Sequence, residues 1–239
     1  MKLQDIFNNS KPIIGMIHLA GDTQKEKVSR ALEELELYEQ EGVDGAIIED
    51  YCGYAEDIEP VLKASQGKFP KLIRGVNCLT DPYSSFKLAK DYGVKFIQFD
   101  NIQTRALNIE LYSSLREKFP EIAVLGGVGF KYTQATGNPL EQDLKEANSR
   151  CEAIVTTGKG TGIETPIEKL IQFKELLKDF SLIVGAGVNG DNAYEQLKIA
   201  DGAIIGSHFK EYSLAGYPVD KDRVREIMDI AKRVRAESV

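Results

Sequence analysis

Six polar residues stand where short apolar runs end: His18, Glu49, Asp50, Asn77, Asp100 and Lys131. Carboxylates beside a histidine and a lysine are the side chains of proton transfer. A carboxylate can serve as general base, with Lys131 or His18 as acid or as stabiliser of developing charge. A lesser alternative is that His18 with Asp or Glu holds a divalent metal. The bland alternative is that some of the six are caps or ion-pair partners at strand ends. A second group is built on glycine. Thr157-Gly158-Lys159-Gly160-Thr161-Gly162, Gly185-Ala186-Gly187-Val188-Asn189-Gly190 and Gly206-Ser207 each follow an apolar run. Glycine lets the main chain approach an anion closely, and N–H groups at a helix start add positive potential. The residues expected to cradle a phosphate are Thr157, Gly158, Gly160, Thr161, Gly162, Gly185, Gly187, Val188, Asn189, Gly206 and Ser207.

Other motifs carry less. Gly185, Gly187 and Gly190 spell G-x-G-x-x-G, but the acidic residue a dinucleotide fold needs about 20 positions on is missing. Asp201 comes too early for that role. Lys159 lies in an open glycine loop, where contact with phosphate or solvent fits better than Schiff-base chemistry. No histidine is spaced to make Cys78 a nucleophile, and His208 reads as a packed residue under the last helix.

The elements that must position these residues recur regularly. Apolar, β-branched runs start at 13, 46, 72, 96, 122, 153, 182 and 203. They read as strands buried on both faces. The stretches between them read as helices. Val28, Ala31, Leu32 and Leu35 recur at helical spacing, with Glu33, Glu34, Glu36 and Glu39 expected on the solvated face. Thr165-Pro166-Ile167-Glu168 reads as a capping box, and Asp81-Pro82 and Asp220 as further helix starts. Val224, Ile227, Met228 and Ala231 form one face of a last helix, whose Lys232, Arg233 and Arg235 suit the macrodipole. Eight strand–helix units predict an α/β fold, a (β/α)8 TIM barrel with a closed parallel sheet and outer helices. An open doubly wound sheet is the alternative. Residues 1–239 are expected to form one domain, with 1–11 as a lead-in that caps the barrel bottom. In a barrel the strand ends converge on one mouth, which would gather both residue groups there.

Composition sets outer bounds. The 239 residues carry 30 Lys+Arg against 37 Asp+Glu, a net charge of −7. Such a chain has no bulk attraction for nucleic acid or anionic lipid. Cys52, Cys78 and Cys151 are too few and too scattered for a disulfide framework or a zinc site, which fits a reducing cytoplasm. No apolar run approaches the ~18 residues of a membrane span, and the N-terminus has no apolar signal core. The expected partner is a small phosphorylated molecule, with homo-oligomerisation left open. The sequence requires no cofactor, and an FMN held by the phosphate loops is a third reading.

Several stretches together resemble the BtpA/SgcQ family. They are Lys11-Pro12-Ile13-Ile14-Gly15-Met16-Ile17-His18-Leu19, Gly42-Val43-Asp44-Gly45-Ala46-Ile47-Ile48-Glu49 and Gly75-Val76-Asn77. The Lys131 segment, the three glycine loops and Phe209-Lys210 continue the likeness over nearly the whole chain. The resemblance implies a TIM barrel and an alternative role, since one member is associated with photosystem I biogenesis: a non-catalytic assembly factor with membrane or protein partners. The sequence departs from the family twice. Ala20-Gly21-Asp22 replaces a longer Pro/Gly-rich loop, and Asp50 stands where the family usually has Asn. Both departures sit at the expected mouth, so substrate preference does not carry across.

Overall fold

The structure is a computed structural model that describes residues 2–105 and 107–237. Eight strands, β1 (Ile13–His18), β2 (Gly45–Glu49), β3 (Ile73–Asn77), β4 (Phe96–Phe99), β5 (Ala123–Gly127), β6 (Ala153–Thr156), β7 (Leu182–Val184) and β8 (Gly202–Ile205), follow the apolar runs closely. Each pairs in parallel with the next, and β8 closes on β1, so the sheet is a barrel. The open-sheet alternative is thereby excluded. Helices fill the connections: α2 (Gln24–Glu41), α3 (Ala55–Ser65), α4 (Ser84–Tyr92), α5 (Ile109–Lys118), α6 (Leu140–Asn148), α7 (Ile167–Leu177) and α8 (Ala193–Ile199). A final helix, α9 (Lys221–Glu237), closes the ring.

The strands are apolar throughout because both faces are buried. One set of side chains, including Ile14, Met16, Ile47, Phe96, Leu125 and Ile183, fills the barrel. The alternate set, including Ile13, Ile17, Ile48 and Val76, packs against the helices. This period of two decides which strand residues reach the mouth. The lead-in forms α1 (Leu3–Ile6), and Leu3, Ile6 and Phe7 join the interior cluster from below. Phe7 meets Phe96 edge-on at 5.4 Å between centroids, so the bottom of the barrel is plugged.

Three local expectations need correction. The buried face of α2 runs through Lys27, Ala31, Glu34, Leu35 and Tyr38, so Glu34 is not solvated. Its carboxylate is held by Lys210, itself fully buried, at 2.6 Å and by Arg30 at 3.1 Å. A helix period alone cannot show a partner 176 residues away. Thr165 does not cap α7. Its hydroxyl donates to the Ala186 carbonyl at 3.1 Å, tying the loop after β6 to the loop after β7. Asp81-Pro82 makes a turn, and α4 begins only at Ser84, whose hydroxyl donates to the Asp81 carbonyl at 2.7 Å. The Asp220 start holds, with its Oδ1 accepting from the N–H of Asp222 at 2.9 Å. The apolar face of α9 holds too: Val224, Ile227, Met228 and Ala231 are buried. Among the described residues no helix is long and apolar enough to cross a membrane.

Candidate functional site

Strand register sets His18, Glu49 and Asn77 side by side, because His18 pairs with Glu49 and Glu49 with Asn77. Each follows the inward-facing residues of its strand, Ile14 and Met16 in β1 and Ile47 in β2. Asp100 arrives the same way, one alternation beyond Gln98 and two beyond Phe96. Asn77 then binds two carboxyl groups at once. Its Nδ2 donates to Glu49 Oε1 at 2.8 Å and to Asp100 Oδ1 at 3.0 Å. Gln98 Nε2 donates to the same Asp100 oxygen at 2.7 Å.

Burial sets the protonation of this cluster. Burial, and then the charge of Asp100, push the Glu49 carboxyl up to about 8. Burial also raises Asp100, against the hydrogen bonds from Gln98 and Asn77. His18 moves the other way, down to about 3, because burial and the nearby Lys210 charge disfavour an imidazolium. His18 Nδ1 lies 3.2 Å from the Ala215 carbonyl oxygen, which can only accept, so Nδ1 carries the proton. The bare Nε2 faces Glu49 Oε2 at 3.7 Å. This contact is therefore no ion pair: a neutral base faces a protonated acid. Two titrating groups pushed apart in this way are the pattern of acid–base sites.

His18, Glu49, Gln98 and Asp100 line a cavity of about 170 Å³ at the C-terminal ends of the strands, with Asn77 buried behind them. Lys131 and Tyr132, from the loop after β5, form its rim. A smaller cavity of about 100 Å³ adjoins it and is lined by Gly162, Gly187, Val188, Asn189, Gly206 and Ser207, with His208 and Ser213. Loops after β6, β7 and β8 thus converge on one small space. Among the described residues the N–H groups of Gly162, Gly187 and Val188 have no acceptor within the chain. Gly187 has φ +70°, and a Cβ there would stand 2.3 Å from the Glu164 nitrogen, so only glycine fits.

Other expected residues lie elsewhere. Asp50 follows Glu49 and takes the opposite face. Its Oδ1 accepts from the Leu79 N–H at 2.8 Å and its Oδ2 from the Thr80 hydroxyl at 3.4 Å, ordering the loop after β3. Thr157 spends its hydroxyl as a latch, accepting from the Lys131 N–H at 2.6 Å and donating to the Gly158 carbonyl at 2.9 Å. A Cβ on Gly158 would stand 2.4 Å from the Glu164 carbonyl oxygen, and Gly160 lies against Ile163 and the Tyr132 hydroxyl. Gly185 and Thr161 line the larger cavity, not the smaller. Among the described residues no three His, Cys, Asp or Glu side chains gather as a metal-holding group.

Three features escaped the sequence reading. Gln98 is 4% exposed and lines the larger cavity. A glutamine inside Phe96-Ile97-Gln98-Phe99, two residues before Asp100, was the available signal. His208 lines the smaller cavity and bonds Glu226 of α9 at 3.3 Å, so it is more than packing. The stretch between β8 and α9 forms a strap over His18. It contains 3-10 turns at Ser207–Phe209 and Glu211–Ser213 and supplies the Ala215 carbonyl. Arg30 holds it from α2 through the Gly216 carbonyl at 2.8 Å.

Comparisons with known proteins agree with this architecture. The BtpA family profile matches residues 9–233. An uncharacterized protein of Methanocaldococcus jannaschii is 28% identical, over 94% of this chain and 97% of its own length. The photosystem I biogenesis protein BtpA of Synechocystis is 24% identical, over 96% of this chain and 91% of its own. Among solved structures, thiamine phosphate pyrophosphorylase from Pyrococcus furiosus superposes with a TM-score of 0.64 at 14% identity, covering 94% of this chain and 96% of that one. N-(5'-phosphoribosyl)anthranilate isomerase from the same organism gives 0.63 at 16%, covering 93% and 99%. At these identities the structural likeness establishes the barrel fold alone.

Proposed function

The chain belongs to the BtpA family, and from that premise we propose that it is an enzyme that binds a small phosphorylated metabolite, a sugar phosphate or nucleotide-like molecule, and moves a proton on it. The reaction class is isomerisation, epimerisation or elimination. One observation carries this reading. The bare Nε2 of a neutral His18 faces a Glu49 carboxyl that is mostly protonated near neutral pH, over a cavity that adjoins the three glycine loops.

In this reading His18 Nε2 accepts a proton from substrate carbon or oxygen, and Glu49 supplies one. The Lys131 ammonium, at the cavity rim, stabilises negative charge that develops on a substrate oxygen. Asn77 and Gln98 hold the carboxyl groups in place. The N–H groups of Gly162, Gly187 and Val188, with Ser207, take the phosphate. Phosphorylated compounds appear in the names of both solved barrels above, which supports the phosphate by analogy of fold. Free thiols at Cys52, Cys78 and Cys151 support a cytoplasmic setting.

The test is a thermal-shift screen of phosphate esters against their dephosphorylated forms, followed by turnover assays on the hits. Esters should stabilise the protein and the bare alcohols should not. His18→Gln and Glu49→Gln should each lower kcat by at least about a hundredfold. Equal binding of the dephosphorylated forms refutes the phosphate reading, and unchanged turnover in both variants refutes the acid–base assignment.

A second reading has one observation in its favour. Tyr54, Tyr132, Ile163, Tyr212 and Leu214 are exposed, and the Synechocystis relative is named for photosystem biogenesis. On this reading the chain is a non-catalytic assembly factor that docks on a protein or membrane partner. Fractionation that recovers only free, soluble chain with no partner refutes it.

A further inference from the structure

The cavities at the mouth form one trough. The glycine cavity and the reaction cavity share Gly162, Gly187, Gly206 and Ser207. Beyond the reaction cavity lies a groove of about 660 Å³, between the loop after β5 and the loop after β6. The two share Phe130, Lys131 and Tyr132. A molecule anchored by its phosphate at one end and reacting over His18 and Glu49 would run toward this groove.

The groove has a distinct chemistry. Val128, Phe130, Leu140 and Pro166 give it apolar walls. Asp143, its one lining carboxylate among the described residues, is occupied by three donors: Gln103 Nε2 at 2.6 Å, Thr136 Oγ1 at 2.7 Å and Asn138 Nδ2 at 3.2 Å. Its cations are not cancelled in this way. Lys169, in the first turn of α7, reaches back so that its Nζ donates to the carbonyls of Gly129 at 2.6 Å and Thr157 at 2.7 Å. Both acceptors are neutral, and an ammonium has a third donor to give. Lys159 lines the same groove from an exposed position. Neither lysine is in an ion pair among the described residues. The N-terminus of α7, an 11-residue helix, adds positive potential at Pro166. In a chain of net charge −7, a half-buried cation held by two carbonyls is a place prepared for an anion.

The geometry points to this groove as the seat of a second acidic group, a carboxylate or a phosphate, carried on an apolar or aromatic body at the far end of the substrate. The substrate is then a phosphate ester with an acid at each end, reacting in the middle. This rests on the reading that the glycine cavity takes the phosphate.

Titration calorimetry with inorganic phosphate, benzoate and phenyl phosphate tests it. The proteins are the wild type, Lys159→Gln, Lys169→Gln and Ser207→Asp, the last blocking the glycine cavity with a carboxylate. Benzoate and inorganic phosphate should bind together, neither displacing the other. Lys159→Gln and Lys169→Gln should each weaken benzoate about tenfold and leave inorganic phosphate within about twofold. Ser207→Asp should do the reverse. In Ser207→Asp, lysine-dependent binding of benzoate assigns the groove to a carboxylate, and of phenyl phosphate to a phosphate. Lys169 also braces two loops, so Lys159→Gln, in an exposed loop, keeps the test open if Lys169→Gln fails to fold. Failure of both aryl acids to bind Ser207→Asp, or binding unaffected by Lys159→Gln, overturns the groove. Should inorganic phosphate fail to bind the wild type while benzoate binding depends on the lysines, the phosphate reading falls and the acid groove remains.

Discussion

Replacing Glu49 by Gln removes one titrating proton while keeping an oxygen that can accept from Asn77 Nδ2, now 2.8 Å from Glu49 Oε1. The carboxyl holds its proton up to about 8 in the folded protein, against an ordinary value of 4.5. The folded state therefore binds this proton more tightly than the unfolded chain does. The stability it contributes is complete below the unfolded value and is lost as the pH rises through the folded one. Each pH unit between the two values costs about 1.4 kcal/mol. From pH 5.5 to 7.5, wild-type stability should thus fall by roughly 2 to 3 kcal/mol relative to Glu49→Gln. His18 titrates below this window in the folded protein and is common to both proteins, so the difference reports the coupled Glu49–Asp100 pair. Urea unfolding at the two pH values measures it, with tyrosine fluorescence as the signal because the chain has 10 Tyr and no Trp. A gap between the two proteins that stays constant with pH would show that Glu49 is ionised in the folded state. The protonated-acid half of the proposed mechanism would then be wrong.

Two further outcomes follow from buried contacts. Lys210→Met leaves the Glu34 carboxylate inside the protein with only Arg30, and should destabilise by about 3 kcal/mol; the double variant Lys210→Met/Glu34→Leu should recover most of that loss, and recovery of none of it in urea unfolding would deny the pair a role. Gly187→Ala forces a Cβ into the Glu164 main chain at φ +70° and should cost about 2 kcal/mol. It should also abolish binding of inorganic phosphate by calorimetry, and retained binding would remove Gly187 from the cradle.

The barrel was legible because strands buried on two faces are written as uninterrupted apolar runs. Seven interruptions, each long enough for a helix, leave few other closures for eight such runs. His18, Glu49, Asn77 and Asp100 were legible for the same reason: barrel closure brings strand ends together whatever the loops do. The period of two inside each strand carries more. It separates Asp50, which orders a loop, from its neighbour Glu49, and it puts Gln98 on the inward face with Asp100. What no local pattern contains is a partner far along the chain. Glu34 looked solvated because Lys210 lies on the far side of the barrel sequence, and Thr165 looked like a cap because Ala186 was out of view. The glycine loops divided for a related reason. Gly162 and Gly187 open onto the small cavity and Gly158 does not, although the Glu164 main chain crosses close to both Gly158 and Gly187.

The strap over His18 decides which nitrogen of the ring is bare. Its Tyr212 and Ser213 sit in left-handed conformations, at φ 57° and 56°, which store strain that the bonds from Arg30 and to His18 must hold in place. The Ala215 carbonyl is also what keeps the imidazole proton on Nδ1 and leaves Nε2 bare. Loss of that bond would let the imidazole exchange tautomers and put a proton on the nitrogen opposite Glu49, so the strap is what gives the pair one acid and one base.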